Sequence, residues 1–446
     1  MKSALAWMIL VGCSTPSESV EQVEQVSEDS GMTADDSAIT DTMTSADTAP
    51  PIEPKGPLAG LPSAKGPHVA KIEALGDGEW LKLGTPLPDA KYGTARGRSW
   101  GGRALVPAPE LRAAFFYGEG VHAMVKPDGL IMDDLFAYDI NQNRWIAVYP
   151  GTDTNTFTPR VKDGDLHISN DNQLVDKTDQ PIPVHTLIHA WDFLAYDTAS
   201  HKFSFVAGNG LGRYYLGGEK LLDEGLKLLD EQRAGKPSSA MSPWFYDVAT
   251  GRFEHYAITA GPPDVGGFAN FEYVTSKKQY FYGGAGGVAF YDPTARTWTP
   301  VKDQGPRPSG YDHGGCYDKK RDRVYMGPGS GAPPGTLHVY DINSATWTTP
   351  AFKGTAPRGF STNGASVFYD TVNDVVTVFQ YQEKKIFIYD PKTETWSDAP
   401  LSPEVLSSVG YPSFNAFYDA ALNAYFVYTA GDSGDGGVMW AYRYKK

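Results

Sequence analysis

One motif recurs along this chain at a fixed spacing: Tyr-Asp, followed by an aromatic residue seven positions after the Tyr. The aromatic residue is Trp in four copies and Phe253 in the fifth, and the copies begin at Tyr138, Tyr246, Tyr291, Tyr340 and Tyr389. The last three copies are 49 residues apart, and the step before them is 45 residues. Five matches at one offset indicate a repeated structural unit of that length.

Each unit has the pattern of four short β-strands. Residues 311–350 contain two apolar pairs of strands, each pair joined by a polar turn, with a glycine-rich loop between the pairs, and residues 361–400 repeat this order. Four-stranded units of this period predict the blades of a β-propeller. The Asp of the motif can accept hydrogen bonds from backbone N–H groups of the turn, and the Tyr and Trp can fill the seam between blades.

Residues 77–446 resemble the kelch-repeat β-propeller family in the Tyr-Asp-x5-Trp motif and in the double glycine of Tyr282-Gly283-Gly284. The resemblance implies an all-β ring of four-stranded blades. Pro-Arg pairs and a His ahead of a blade's first strand are also frequent in that family, so such residues have a structural interpretation as well as a functional one.

The motif count predicts six blades within residues 76–446, with insertions at about 151–186 and 209–240. Tyr196-Asp197 followed by Phe203 could be a further copy of the motif, which would give seven blades. We interpret it instead as the turn between a blade's first and second strands. The last unit supplies only three strands. We therefore expect an N-terminal strand at 79–84, around Trp80, to complete that blade and close the ring.

The second insertion predicts one short amphipathic helix. Leu222, Leu226 and Leu229 recur at helical spacing, and Gly235 and Pro237 are stop signals. The apolar face can pack on the propeller itself, which we favour, or bind a partner.

The N-terminus has the layout of a secretory signal at 1–12, and Leu10-Val11-Gly12-Cys13 resembles the bacterial lipobox, which implies lipidation of Cys13. Ser14 after it implies an outer-membrane destination. Residues 14–54 carry ten acids and no base, so we expect residues 13–75 to form an acidic disordered tether. Overall 53 acids oppose 39 bases, which argues against nucleic-acid binding.

Candidate ligand-binding residues precede or begin the first strands, at the expected channel mouth. They are Arg96, Arg307, Arg358, Asp312, His313, Asn363, Asn415, Trp191 and Asp192. Such arginine forks and an aromatic platform suit a glycan or an acidic ligand. Most of the nine histidines are scattered along the chain, and we expect no metal or other cofactor.

We therefore expect a lipid-anchored, extracytoplasmic module that binds a protein or an envelope glycan without catalysis. The alternative is a propeller enzyme, a lyase, hydrolase or oxidase, with its site at the channel mouth.

Overall fold

The computed structural model of the protein describes residues 52–98, 105–118, 125–183, 192–206, 219–236, 242–256, 270–308, 314–327, 333, 335–351, 353–357, 365–408, 412–431 and 436–446. These residues lie in one compact unit, Thr48–Lys446. Six antiparallel sheets dominate it, so the prediction of a six-bladed all-β propeller is confirmed. Tyr196-Asp197 ends the first strand of blade 2 and leads into its second strand. It is therefore not the turn between third and fourth strands that a seventh blade would require.

Each blade has four strands, named first to fourth from the ring axis outward. Blade 1 consists of Leu105–Ala108, Ala113–Tyr117, Leu135–Asp139 and Arg144–Tyr149. Blade 2 consists of Leu194–Asp197, Lys202–Val206, Pro243–Asp247 and Arg252–His255. Blade 3 consists of Asn270–Val274, Gln279–Gly284, Gly287–Asp292 and Thr297–Val301. Blade 4 consists of Gly315–Asp318, Arg323–Met326, His338–Asp341 and Thr346–Thr348. Blade 5 consists of Ala365–Asp370, Val375–Gln380, Lys385–Asp390 and Thr395–Pro400. Blade 6 consists of Pro412–Asp419, Ala424–Gly431, Val438–Tyr442 and Trp80–Gly84.

The remaining elements are short. Lys353–Gly354 runs parallel to the fourth strand of blade 5, and Leu166–Ile168 pairs with Leu174–Asp176. The helices are α1 (Pro67–Glu73), α2 (Phe157–Lys162), α3 (Glu219–Arg233) and α4 (Pro403–Ser408), with 3-10 turns at Gly56–Leu58 and Pro109–Leu111.

The first strands form the inner wall of a ring. Each contacts the first strands of the preceding and following blades, and that of blade 6 contacts that of blade 1. In blade 6 the fourth strand comes from the other end of the chain: Trp80–Gly84 pairs antiparallel with Val438–Tyr442, and Trp80 lies opposite Tyr442.

Strand direction divides the ring into two ends. The turns between first and second strands and between third and fourth strands lie at one end, which we call the turn end. The connections between second and third strands, and from each fourth strand to the next blade, lie at the other, which we call the loop end. The first insertion connects the fourth strand of blade 1 to blade 2, and the second connects the second and third strands of blade 2, so both lie at the loop end.

The repeated motif builds the turn end. Asp292 accepts hydrogen bonds from the backbone N–H groups of Thr294 (2.8 Å) and Ala295 (2.9 Å), as predicted for the turn after the third strand. The fourth residue after each motif Asp has a left-handed backbone, and these residues are Asn143, Gly251, Arg296, Ala345 and Glu394. The turn length then places Trp298 directly opposite Tyr291 in the ladder, which explains the spacing of seven.

The motif tyrosines fill the seams between blades, as predicted. Each ring contacts an aromatic ring of the preceding blade at centroid distances of 5.3–6.1 Å, and the pairs are Tyr138–Phe426, Tyr246–Phe115, Tyr291–Phe245, Tyr340–Phe281 and Tyr389–Tyr325. The repeat is therefore a device for joining blades.

The predicted helix in the second insertion is present as α3, and its apolar face is buried by the first insertion. Leu222 and Leu229 pack with Phe157 and Val161 of α2 in a second hydrophobic core, separate from the cores of the ring. We call residues 151–183 and 219–236 the insertion subdomain. It is joined to blade 1 through Ile131, which belongs to the same core.

Residues 52–75 differ from the expected tether. Leu58 and Ile72 are fully buried in the core of the ring. The backbone N–H of Lys55 donates to the carbonyl of Val248 (3.0 Å), and Gly66 N–H donates to Asn141 (2.8 Å), so this segment crosses the turn end of blades 2 and 1. We call residues 55–75 the N-terminal strap. Its few apolar residues are spaced for burial, a pattern concealed by the acidic composition of the longer segment.

Candidate functional site

Four of the nine predicted ligand-binding residues lie within the described ranges: Arg96, Asp192, Arg307 and Asn415. Trp191, Asp312, His313, Arg358 and Asn363 lie outside the described residues, as does Cys13. The four that are described do not form one cluster. They belong to separate contacts at or near the loop end.

Asp192 joins three blades beside the ring axis. It is fully buried just before the first strand of blade 2. Its Oδ2 accepts hydrogen bonds from Asn270 Nδ2 in blade 3 and from the backbone N–H of Gly315 in blade 4, both at 2.6 Å. Its backbone carbonyl also accepts from Phe271 N–H at 2.9 Å. Asp192 therefore has a structural role at the channel, in addition to its position at the predicted mouth.

Arg307 has its charge neutralised within the chain. Its Nε and Nη2 donate to the two carboxylate oxygens of Asp303, at 2.9 and 2.6 Å. The same buried carboxylate accepts from Trp347 Nε1 in blade 4 at 2.8 Å. Because this fork is already filled, the structural interpretation of Arg307 is the stronger one.

A cluster that the sequence did not predict surrounds Arg98, two residues after the half-buried Arg96. The Arg98 guanidinium is completely buried and pairs with Asp134. Lys126 Nζ donates to the second oxygen of Asp134 (3.1 Å) and to the carbonyl of Pro150 (3.0 Å). We call Arg98, Lys126 and Asp134 the Arg98 cluster. It lies at the loop end of blade 1.

Two further side chains fix Arg98 in place. Its guanidinium lies over the ring of Phe116, 4.8 Å from the ring centroid. Asn415, at the first strand of blade 6, donates from Nδ2 to the backbone carbonyl of Arg98 at 3.1 Å. Asn415 was predicted as a binding residue, and the structure places it next to an arginine that was not.

The Arg98 cluster contains polar atoms without protein partners. Among the described residues, Arg98 Nε and Nη1 are buried without a hydrogen-bond acceptor, and Asn415 Oδ1 is buried without a donor. A buried donor without an acceptor costs about 1–3 kcal/mol, and more when the group is charged. Such groups are rare in folded proteins, so each needs an explanation.

The cluster adjoins the insertion subdomain. Asp133 accepts from the backbone N–H of Thr152 at 2.7 Å, and Thr152 Oγ1 also contacts the hydroxyl of Tyr149 at 3.0 Å. Burial, together with the charge of Asp133, raises the pKa of Tyr149 well above its usual value, so this phenol stays protonated. The base of the subdomain is thus a buried polar layer continuous with the Arg98 cluster.

At the turn end, an ion-pair network joins two neighbouring blades. Arg321 forms ion pairs with Asp374 at 2.7 Å and Asp318 at 2.8 Å. Burial alone would raise the pKa of Asp374, but hydrogen bonds from Arg321, Tyr369 and Lys320 outweigh it and hold the pKa well below its usual range. This carboxylate is committed to joining blades 4 and 5.

The described residues also bear on metal binding and on membrane insertion. Across the described ranges, no three His, Cys, Asp or Glu side chains converge so as to hold a metal ion. Among the helices of these residues, none is both long and apolar enough to cross a bilayer.

Comparison of the chain with protein-family models gives no match. Comparison with curated proteins gives none either. The kelch resemblance therefore stays a prediction from motifs, whereas the propeller fold is carried by the sheet topology and the ring of first strands.

Proposed function

We propose that this protein is a lipid-anchored, kelch-type propeller of the bacterial cell envelope that binds an envelope glycan through its loop end, without catalysis. The observation that carries the proposal is the difference between the two ends. The turn end consists of short hairpins built on one repeated motif, whereas the loop end carries the insertion subdomain and the Arg98 cluster. Propeller ligands are bound by variable loops on a rigid ring, and here the variation is at one end.

Hydrogen–deuterium exchange can locate the binding end. After a glycan array identifies a ligand for the compact unit Thr48–Lys446, we expect slower exchange in residues 125–134 and 150–157 at the loop end. The turns at 318–323 and 370–375 should be unaffected, since they lie at the turn end. Protection confined to those turns would contradict the proposal. Release of a cleaved or oxidised glycan would instead establish the enzyme alternative.

Lipid anchoring is tested by Cys13→Ala in cells. We expect the wild-type chain in the membrane fraction and the variant in the soluble fraction. Cys316→Ala is the matched control, because Cys316 is buried in the first strand of blade 4 and cannot be an anchor. Retention of Cys13→Ala in the membrane fraction would show that the lipobox interpretation is wrong.

A further inference from the structure

We propose that the Arg98 cluster is the specificity site of this binding surface and that it takes a hydroxylated carboxylate, the chemistry of a uronic acid residue in an acidic glycan. The inference rests on the proposed function, since it names the ligand class of the same loop end. It is argued from the unused hydrogen-bonding capacity of Arg98, Lys126 and Asn415.

The donors are in excess. Arg98 bonds to Asp134 through Nη2, which leaves Nε and Nη1 without acceptors. Lys126 has three N–H donors, and Asp134 and Pro150 account for two of them. An added carboxylate would supply acceptors to both side chains, and charge-assisted bonds of this kind are stronger than neutral ones.

The charge balance also favours an anion. Arg98 and Lys126 are at most 7% exposed and share the single carboxylate of Asp134. Asp133 is the next acid, and its two oxygens accept hydrogen bonds from Thr152. A ligand carboxylate would give the two buried cations a second direct ion-pair partner beside Asp134.

A hydroxyl group is needed in addition to the carboxylate. Asn415 Oδ1 is a buried acceptor without a donor, and Nδ2 of the same amide bonds to the backbone carbonyl of Arg98. A simple carboxylate has no donor for it, whereas a sugar acid carries both groups. Phe116 under the guanidinium keeps Arg98 in one plane, which suits recognition of a planar carboxylate.

The approach is over Lys126. Arg98 and Asp134 are 0% and 1% exposed, and Lys126 is the most exposed member of the cluster at 7%. A ligand carboxylate would therefore meet Lys126 first and reach Arg98 behind it. This order predicts that neutralising either cation weakens binding.

Thermal unfolding of the full chain tests the inference, with sodium glucuronate, acetate and glucose as probes at constant ionic strength. We expect glucuronate at tenfold excess over its dissociation constant to raise Tm by about 2 °C, acetate to act more weakly, and glucose to have no effect. Arg98→Gln and Lys126→Met should each weaken glucuronate binding on the order of tenfold, and Asp134→Asn should strengthen it. Each shift is measured against the variant's own Tm.

Arg112→Gln is the matched control. Arg112 also pairs with a buried carboxylate, Asp419, but at the turn end of the same blade. It should bind glucuronate as the wild type does. If Arg98→Gln fails to fold, Lys126→Met and Asp134→Asn still test the inference. Their opposite effects on glucuronate affinity are expected only when an anion binds.

Three outcomes would overturn the inference: no glucuronate shift in the wild type, an equal shift with acetate and glucuronate, or equal binding by all variants. An acidic peptide that binds Arg98-dependently while glucuronate does not would also overturn it, in favour of a protein ligand. The proposed function is refuted by a different result, namely a glycan ligand that slows hydrogen–deuterium exchange only at the turn end.

Discussion

Acidification should destabilise this protein through one buried histidine. His255, in the fourth strand of blade 2, lies flat against Trp244, with ring centroids 4.1 Å apart and planes 3° from parallel. Part of the residue reaches solvent, but Nδ1 is buried and Nε2 is 3.3 Å from the carbonyl of Ser242. The nitrogens carry the charge, so their burial determines the pKa. It lowers the pKa of His255 from 6.5 to about 3.

The direction and size of the effect follow from proton linkage. The unfolded chain takes up a proton near pH 6.5, whereas the folded chain does so only near pH 3. Stability from the neutral imidazole is therefore complete above pH 6.5 and is lost as the pH falls. One pKa unit corresponds to about 1.4 kcal/mol, so two units below pH 6.5 this residue alone should remove about 2.7 kcal/mol.

The assay compares urea unfolding of the wild type and His255→Phe, followed by tryptophan fluorescence at pH 8 and pH 4.5. Phe preserves the stack on Trp244 and removes the titrating group. The variant loses the contact with Ser242 equally at both pH values. We expect the free-energy difference between the two proteins to shift by about 2.7 kcal/mol in favour of the variant at pH 4.5. A difference that is independent of pH would refute the reasoning.

Two further predictions concern the ring. Ile72→Ala in the N-terminal strap should lower the free energy of unfolding by about 3 kcal/mol, because Ile72 is fully buried in the core; a loss as small as that of Val372→Ala, at a 54% exposed site, would show that the strap is dispensable. Gly305→Ala should cost at least ~3 kcal/mol, because its φ is +91° and a Cβ would lie 2.0 Å from the carbonyl oxygen of Trp347. Gly436→Ala is the control, since Gly436 has φ +76° but open space around it; equal losses would mean that backbone strain, not the clash, is decisive.

The sequence predicted the architecture because the fold is repeated. A turn motif with a fixed offset reports both the strand pairing and the period, so Tyr291 and Trp298 alone place two strands in register. Gly305 and Gly354, 49 residues apart, are a second repeated signal in the sequence. Each packs against the backbone carbonyl of the motif Trp of the next blade, 2.0 Å from where a Cβ would be.

The candidate site was harder to predict, because it is made of contacts that do not repeat. Arg98 and Asp134 are 36 residues apart, and Asn415 contacts Arg98 across 317 residues. Periodicity carries no information about such pairs. Position ahead of a first strand indicates Arg96 but does not single out Arg98, since nothing local distinguishes a buried arginine from an exposed one.

The division between the two ends of the ring has a physical cause. A motif Asp that accepts turn N–H groups, as Asp292 does, has little capacity left for a ligand. The same holds for Asp374, whose three cationic partners and Tyr369 saturate its oxygens. Repetition therefore commits these carboxylates to building the ring. The loop end is free of that requirement, and there the insertion subdomain and the Arg98 cluster lie outside the repeat. A binding function in this fold thus belongs where the repeat is broken.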